Sequence, residues 1–137
     1  MALESLAASG VDDAYEFDLR RTEAEPLQLD LCRTLHGVME DVRRGRIPAV
    51  VSAKFHNTLA EGLLALAKAA RESTKLDVVA LSGGVFCNRY LVSRLVMRLK
   101  QEGFEVLVNR DVPSNDGGIA LGQAAIATHF REAVSQR

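Results

Sequence analysis

Two glycine-centred segments in the second half of the chain place the strongest constraint on its fold. The first runs from Val79 to Arg89 around Gly83 and Gly84, and the second runs from Val112 to Gly122 around Gly117-Gly118. A glycine pair lets the backbone adopt a positive φ and lets a ligand approach it closely. Free N–H groups at a helix N-terminus favour phosphate. Two such turns on neighbouring parallel strands would form a nucleotide cleft at the carboxyl edge of the sheet.

The second half of the chain alternates between strand and helix patterns. Residues 76–81 form an apolar run with one Asp, which is typical of a buried parallel strand. Helical spacing follows over 89–101, a second strand over 104–108, and a last helix from Gly117 to about residue 130. Parallel strands joined in this way need a right-handed crossover. The order predicts an α/β fold.

The first half of the chain reads as a loose start followed by helices. Residues 1–13 are small and acidic and predict a loose arm, and alternation over 14–19 predicts a short strand. Helical spacing covers 29–42, and Pro48 opens a second helix that we predict to run to Ser73. Its apolar stripe consists of Val51, Phe55, Leu59, Leu63, Leu66 and Ala70. About three strands are expected in all, a sheet thin enough to be one lobe of something larger.

Composition excludes several classes of protein. The chain has 137 residues, a formal net charge of -1 and no Trp, which argues against a nucleic-acid partner. Its two cysteines form no CxxC pair, so we do not expect zinc bound by cysteine. We expect a reduced, cytoplasmic setting. We find no apolar stretch long enough to span a membrane and no signal peptide.

Each candidate site residue also has a purely structural interpretation. Gly83 and Gly84 could form a tight turn that meets no ligand. Asn88 and Asp116 could each simply cap the helix that follows. His56 lies in a polar patch beside the apolar stripe, where a structural role is favoured over a role in lining a cleft. His36 and His129 are interpreted as surface or packing residues.

Three segments together resemble one protein family. Residues 53–60, 79–91 and 113–124 closely resemble, in the same order, stretches near the C-terminus of the HypF hydrogenase maturation carbamoyltransferases. The likeness extends over residues 15–130. It implies that residues 14–137 form the second lobe of a TsaD-like domain, a partial lobe of the actin/sugar-kinase/Hsp70-like (ribonuclease H-like) fold, with a short, mostly parallel sheet packed with helices.

The resemblance also implies an activity. In that family ATP and carbamoyl phosphate yield a carbamoyl-adenylate, whose carbamoyl group passes to the C-terminal cysteine of HypE. The group later becomes a cyanide ligand of the [NiFe] hydrogenase iron. The implied partners are HypE and the remaining domains of the same enzyme. Self-association is also expected, through apolar surface near the cleft and around Phe55 and Leu59 that another lobe would cover.

Site roles carry over from the resemblance residue by residue. Gly83 and Gly84 would approach the phosphate or sugar of the nucleotide, and Asn88 would hydrogen-bond it. Asp116 would be one ligand of a divalent metal (iron, zinc or magnesium) whose other ligands, a histidine pair, belong to the family's first lobe. This chain alone is therefore expected to bind metal weakly and to be inactive.

Two alternatives remain open. One is a TsaD-like subunit acting in tRNA threonylcarbamoyl transfer, although Ser114 to Gly118 matches the HypF pattern better and the chain is not basic. The other is a non-catalytic remnant that binds a nucleotide or a partner. An excised fragment or a split-gene subunit fits the resemblance equally well.

Overall fold

A long central helix organises the chain. The structure, a computed structural model, describes residues 2–21 and 26–135, with side chains within 3–21 and 26–128. Its elements are α1 (Ala2–Ser5), β1 (Asp18–Arg20), β2 (Gln28–Asp30), α2 (Cys32–Arg43), α3 (Pro48–Thr74), β3 (Val78–Leu81), α4 (Arg89–Gln101), β4 (Glu105–Val108) and α5 (Ile119–Ser135), with 3₁₀ helices at Gly84–Cys87 and Asp116–Gly118. In the described part of the chain no helix is long and apolar enough to cross a membrane.

The second half has the predicted strand–helix–strand–helix order. Strands β3 and β4 pair in parallel, with Val79 opposite Val106 and Leu81 opposite Val108. Helix α4 connects them, and its bounds match the predicted 89–101. The α/β fold with a short parallel sheet is thereby confirmed.

One apolar core joins α3, α4 and the inner face of the parallel sheet. Its buried members are Ala60, Leu64, Leu81, Leu91, Leu95, Leu99 and Phe104. Alternate side chains of the two strands point away from the core, to the opposite face of the sheet. Val78 and Leu107 on that face are each about half exposed. Neighbouring exposed apolar side chains of this kind are typical of a face that another element or partner covers.

The first strand and the helix after it differ from the prediction. The strand lies at Asp18–Arg20 rather than over 14–19, and it pairs antiparallel with Gln28–Asp30, a segment assigned to the helix by its spacing. Helix α2 begins only at Cys32, whose N–H donates to the Asp30 carboxylate at 2.8 Å. The three-stranded estimate is wrong for the described residues, which form two separate two-stranded sheets.

The N-terminal segment is not the loose arm that its composition predicts. Its carbonyl groups accept hydrogen bonds from α3: Asn57 Nδ2 donates to Val11 O at 2.8 Å and to Asp13 O at 2.9 Å, and the Ser52 hydroxyl donates to Leu3 O. The Glu4 carboxylate accepts from Arg89 N–H at 2.6 Å, which lowers the pKa of Glu4. Polar side chains on α3 and the first turn of α4 thus hold the segment in place.

The buried face of α3 also differs from the predicted apolar stripe. The helix itself is confirmed, at Pro48–Thr74 against the predicted 48–73. Val51 is the one residue of the predicted stripe that is buried. The other buried residues, several of them polar, are Ser52, Ala53, His56, Asn57, Thr58, Ala60, Gly62 and Leu64. Phe55 and Leu59 are half-buried rather than bare, and Leu59 packs against the core. The polar face is buried because the N-terminal segment supplies its hydrogen-bond partners.

A buried ionic cluster ties α2 to α3 and to Tyr15. The Asp41 carboxylate accepts from Lys54 Nζ at 2.7 Å and from the Tyr15 hydroxyl at 2.9 Å. Lys54 Nζ also lies 4.1 Å from the centroid of the Tyr15 ring. The hydrogen bond from Lys54, and after it the one from Tyr15, hold the pKa of Asp41 below its ordinary value. Burial, together with the Asp41 carboxylate, raises the pKa of Tyr15.

Close packing against this cluster predicts the effect of one glycine substitution. A Cβ atom at Gly37 would lie 2.7 Å from Cδ1 of the buried Tyr15 ring. We expect Gly37→Ala to lower the free energy of unfolding by about 1 kcal/mol, because overpacking outweighs the better helix propensity of Ala. Urea unfolding followed by circular dichroism measures this. Gly122→Ala is the control, since its Cβ meets no atom within 4 Å. A Gly37→Ala protein as stable as the wild type would contradict the contact.

Candidate functional site

The two glycine turns meet at one edge of the parallel sheet. Strands β3 and β4 end at Leu81 and Val108 on the same edge, and each glycine turn follows one of them. Gly83 N–H donates to Ser114 O at 2.6 Å. Cys87 Sγ lies 3.5 Å from Ser114 Oγ. The juxtaposition predicted from two parallel strands is therefore confirmed.

The first turn combines one strained backbone position with open space. Gly83 has a φ of 106°, a region that side chains disfavour, so this position needs glycine. Gly84 needs glycine for no such reason, since its φ is not positive. A Cβ at either glycine would meet no atom within 4 Å. The turn therefore presents its backbone to open space.

Asn88 closes this turn from inside the protein. Its side chain is 6% exposed, and Oδ1 accepts from Leu91 N–H at 2.9 Å, so it caps α4. Its amide Nδ2 lies 2.7 Å from His56 Nε2. Both polar groups of Asn88 are thus engaged within the chain, as the capping interpretation expects. A hydrogen bond from this side chain to a nucleotide remains a prediction.

The second turn is capped by Asn115 rather than by Asp116. Asn115 Oδ1 accepts from Gly117 N–H at 3.1 Å, and Asp116 begins the 3₁₀ helix Asp116–Gly118 with its side chain exposed. The capping interpretation of Asp116 is therefore wrong by one residue. A Cβ at Gly118 would lie 2.7 Å from Pro113 O, so close backbone packing does occur there.

The residues around Asp116 do not by themselves fit a metal ion. No three His, Cys, Asp or Glu side chains converge on a common point among the described residues. One exposed carboxylate oxygen is a poor ligand set for any of the divalent metals considered. Asp116 can therefore contribute at most one ligand of a site completed by other residues.

Sequence reasoning missed the partner of His56. The ring is buried on α3 beneath Asn88, and its centroid lies 5.4 Å from that of the Tyr90 ring. His36 is exposed on α2, and the side chain of His129 lies outside those described. A separation of 32 residues between His56 and Asn88 leaves no local signal in the sequence.

The remaining part of the edge is lined by α5. A groove of about 370 Å³ lies beside the second turn, between residues 109–112 and Gly118, Leu121, Gly122 and Ala125. Leu121 and Ile126 on α5 are more than half exposed. The edge thus offers free backbone, a polar turn and adjoining apolar surface, an arrangement that can hold a nucleotide's phosphate beside its less polar parts.

Comparisons with known proteins identify the family. Residues 1–123 match the family described as "Carbamoyltransferase, Kae1-like Domain, second subdomain". Carbamoyltransferase HypF2 of Cupriavidus necator is 36% identical over 120 residues, which are 88% of this chain and 14% of that protein. A tRNA N6-adenosine threonylcarbamoyltransferase of Clostridium botulinum strain Hall is 34% identical over 135 residues, 94% of this chain and 40% of that protein.

A solved structure agrees with these sequence matches. The crystal structure of full-length HypF in the phosphate- and nucleotide-bound form superposes with a TM-score of 0.85 at 42% identity. The match covers 93% of this chain and 17% of that one, so the chain spans only a small part of the HypF proteins that it resembles. The chain therefore belongs to the HypF carbamoyltransferase family, as the second subdomain of the Kae1-like domain.

Proposed function

We propose that this chain supplies one wall of the nucleotide site in a HypF-type carbamoyltransferase. The observation that carries the proposal is the hydrogen bond from Gly83 to Ser114, which holds two glycine turns together at the carboxyl edge of β3 and β4. Ligands of open α/β sheets bind at this edge. The free space over Gly83 and Gly84 suits a phosphate or a ribose, and the solved HypF relative is described as phosphate- and nucleotide-bound.

The proposed reaction is transfer of a carbamoyl group from carbamoyl-adenylate to the C-terminal cysteine of HypE. The cysteine loses its thiol proton to solvent, and the thiolate sulfur attacks the carbamoyl carbon. The bond from that carbon to the phosphate oxygen then breaks, its electron pair stays on the oxygen, and AMP leaves. Backbone N–H groups of the turns that do not already donate within the chain, as Gly83 and Gly117 do, would bind the phosphate and stabilise the charge that it gains. A divalent metal would need ligands beyond Asp116, so we expect this chain to be inactive without the remaining domains of the enzyme.

The same proposal accounts for the exposed apolar surfaces. Val78 and Leu107 on the open sheet face, with Leu121 and Ile126 on α5, would be covered by those remaining domains or by a second copy of the chain. We place the protein in the cytoplasm, where HypE and ATP would be available and where two free, exposed cysteines stay reduced. The tRNA alternative receives no support from the composition, since the net charge is -1.

Gly84→Val tests the nucleotide site. The fold should tolerate the substitution, because φ at Gly84 is not positive and nothing lies within 4 Å of its Cβ. The valine side chain would occupy the space proposed for the ligand, and we expect ATP affinity to fall about tenfold or more. An ATP titration of ¹⁵N-labelled chain measures this, with the amide signals of the two glycine turns as reporters.

The matched control is Ser93→Ala, on an exposed position of α4. It should bind ATP like the wild type, and both variants should keep the wild-type circular dichroism spectrum. The proposal fails if the wild-type turns give no shift at millimolar ATP even with the remaining domains of the enzyme present, or if a folded Gly84→Val protein binds as tightly as the wild type.

A further inference from the structure

The buried histidine of α3 is held in one tautomer by a backbone carbonyl. His56 is 3% exposed, and its Nδ1 lies 2.8 Å from Ser52 O. A carbonyl oxygen can only accept a hydrogen bond, so Nδ1 must carry the proton. In the neutral ring Nε2 is then an acceptor with a free lone pair.

The other ring nitrogen faces the side-chain amide of Asn88. Nε2 lies 2.7 Å from Asn88 Nδ2, which donates to it. The amide cannot be turned the other way, because its Oδ1 accepts from Leu91 N–H at 2.9 Å. Two backbone groups therefore fix the direction of both hydrogen bonds made by the His56 ring. The Ser52 carbonyl fixes the bond at Nδ1, and the Leu91 N–H, through the Asn88 amide, fixes the bond at Nε2.

This chain of hydrogen bonds ends on the glycine turn. Asn88 is the last residue of the turn and the N-cap of α4, and its own N–H donates to Val85 O at 3.1 Å. The ring of His56 is also packed edge-on against the Tyr90 ring, whose hydroxyl donates to Asn57 Oδ1 at 3.2 Å. A residue on α3 thus sets the position at which the turn returns to the protein.

We propose that His56 is a positioning residue, which in its neutral form orients Asn88 and thereby holds the Gly83–Asn88 turn in its ligand-facing conformation. The role of this turn in binding rests on the proposed function, whereas the orientation of Asn88 does not. Protonation of His56 would place an N–H on Nε2 directly against the Asn88 Nδ2 donor. Relief requires the amide to rotate, and rotation removes the acceptor from Leu91 N–H.

Few ionisable groups lie near this ring among the described residues. The side chains and backbone that contact it include Ser52, Phe55, Asn88 and Tyr90, of which only Tyr90 has an ionisable side chain. The Glu4 carboxylate, on α1, reaches the neighbouring Arg89 N–H, and that bond lowers its pKa. Glu4 therefore titrates below the range in which a histidine ordinarily does.

Three variants and one control separate positioning from simple packing. His56→Gln can place an amide oxygen near Nε2 and should keep Asn88 in place, whereas His56→Leu removes the acceptor. We expect ATP affinity to fall about fivefold in His56→Leu and to stay within about twofold of the wild type in His56→Gln. His36→Gln, at an exposed position, is the control and should change nothing. Asn88→Asp keeps the cap and supplies an oxygen for a protonated ring.

The direct measurement is NMR of the ring nitrogens and of the turn amides. At pH 8 we expect the ¹⁵N signal of His56 Nε2 to be that of an unprotonated nitrogen and Nδ1 to be protonated. As the pH is lowered, the amide signals of Gly83 to Leu91 should change in step with Nε2 protonation in the wild type. In Asn88→Asp these amide signals should stay unchanged while Nε2 is protonated.

Each outcome decides the inference without reference to nucleotide. A protonated Nε2 at pH 8, or turn amides that stay unchanged while Nε2 gains its proton, overturns the positioning role. Wild-type turn signals in His56→Leu overturn it as well, and if that variant does not fold, the Asn88→Asp titration still decides. Wild-type turns that give no shift with ATP, even with the remaining domains of the enzyme present, would instead refute only the proposed nucleotide site.

Discussion

Replacing Asp41 by Asn should lower the free energy of unfolding by about 2–4 kcal/mol at neutral pH, somewhat less than the ~3–5 kcal/mol typical of removing one partner of a fully buried ion pair, because this pair keeps some contact with solvent. The carboxylate and the Lys54 ammonium are 11% and 19% exposed and lie 2.7 Å apart. The Asn side chain can still accept a hydrogen bond from the Tyr15 hydroxyl. It leaves the charge of Lys54, whose side chain is largely buried, without its carboxylate partner. Urea unfolding of the two proteins at pH 7 measures the difference.

The same substitution should matter less in acid. The pKa of Asp41 is lowered in the folded protein, so its ionised form stabilises the fold above the unfolded value of about 3.9. That contribution is lost as the pH falls through the folded pKa. The stability gap between wild type and Asp41→Asn should therefore be widest near neutrality and should narrow below about pH 4.

The control is an exposed ion pair at the C-terminal end of the same helix, formed by Glu40 and the C-cap residue Arg44. Glu40 and Arg44 form an i,i+4 pair with about half or more of each side chain exposed. Glu40→Gln should change stability by less than about 1 kcal/mol, because solvent screens such pairs. An Asp41→Asn protein no less stable than Glu40→Gln would show that the cluster does not support the fold.

Much of the second half could be predicted from the sequence, because its signals are local. The apolar runs of β3 and β4 are bounded by glycines or polar residues, and the helical spacing between them gave the bounds of α4. The meeting of the two glycine turns followed from topology, since parallel strands end at a common edge. No knowledge of side-chain contacts was needed for either.

The first half could not be predicted to the same degree, because its structure depends on distant partners. Residues 28–30 continue a helical spacing, yet pairing with 18–20 draws them into a strand. The polar face of α3 has no apolar pattern, and its burial depends on main-chain carbonyls of an N-terminal segment more than forty residues away. Main-chain carbonyls are the same for every residue type, so the sequence carries no sign of them.

The candidate site shows the same division. Gly83 and Gly84 were recognised from their type and position, and their open surroundings support the ligand-facing interpretation. The bond that orients Asn88 was missed because it joins α3 to the start of α4, 32 residues on. Which residue caps the second turn depends on the backbone angles of Asn115, which the run Asn115-Asp116-Gly117-Gly118 does not specify.

The apolar core beneath this site gives the other large expected effect, at Leu95. Its side chain is 1% exposed in the middle of α4, between Leu91 and Leu99. We expect Leu95→Ala to lower the free energy of unfolding by about 2–5 kcal/mol, since it removes buried methyl groups and leaves a cavity. Ala is a good helix former, so the loss would reflect packing of α4 and not its helicity.

Met97 on the same helix provides the matched control. It is 43% exposed, and Met97→Ala should change the free energy of unfolding by no more than about 0.5 kcal/mol. Because α4 begins at the Asn88 cap, loosening its packing should also broaden the amide signals of the Gly83–Asn88 turn in Leu95→Ala and leave them sharp in Met97→Ala. Equal stability of the two variants would mean that α4 does not pack through Leu95.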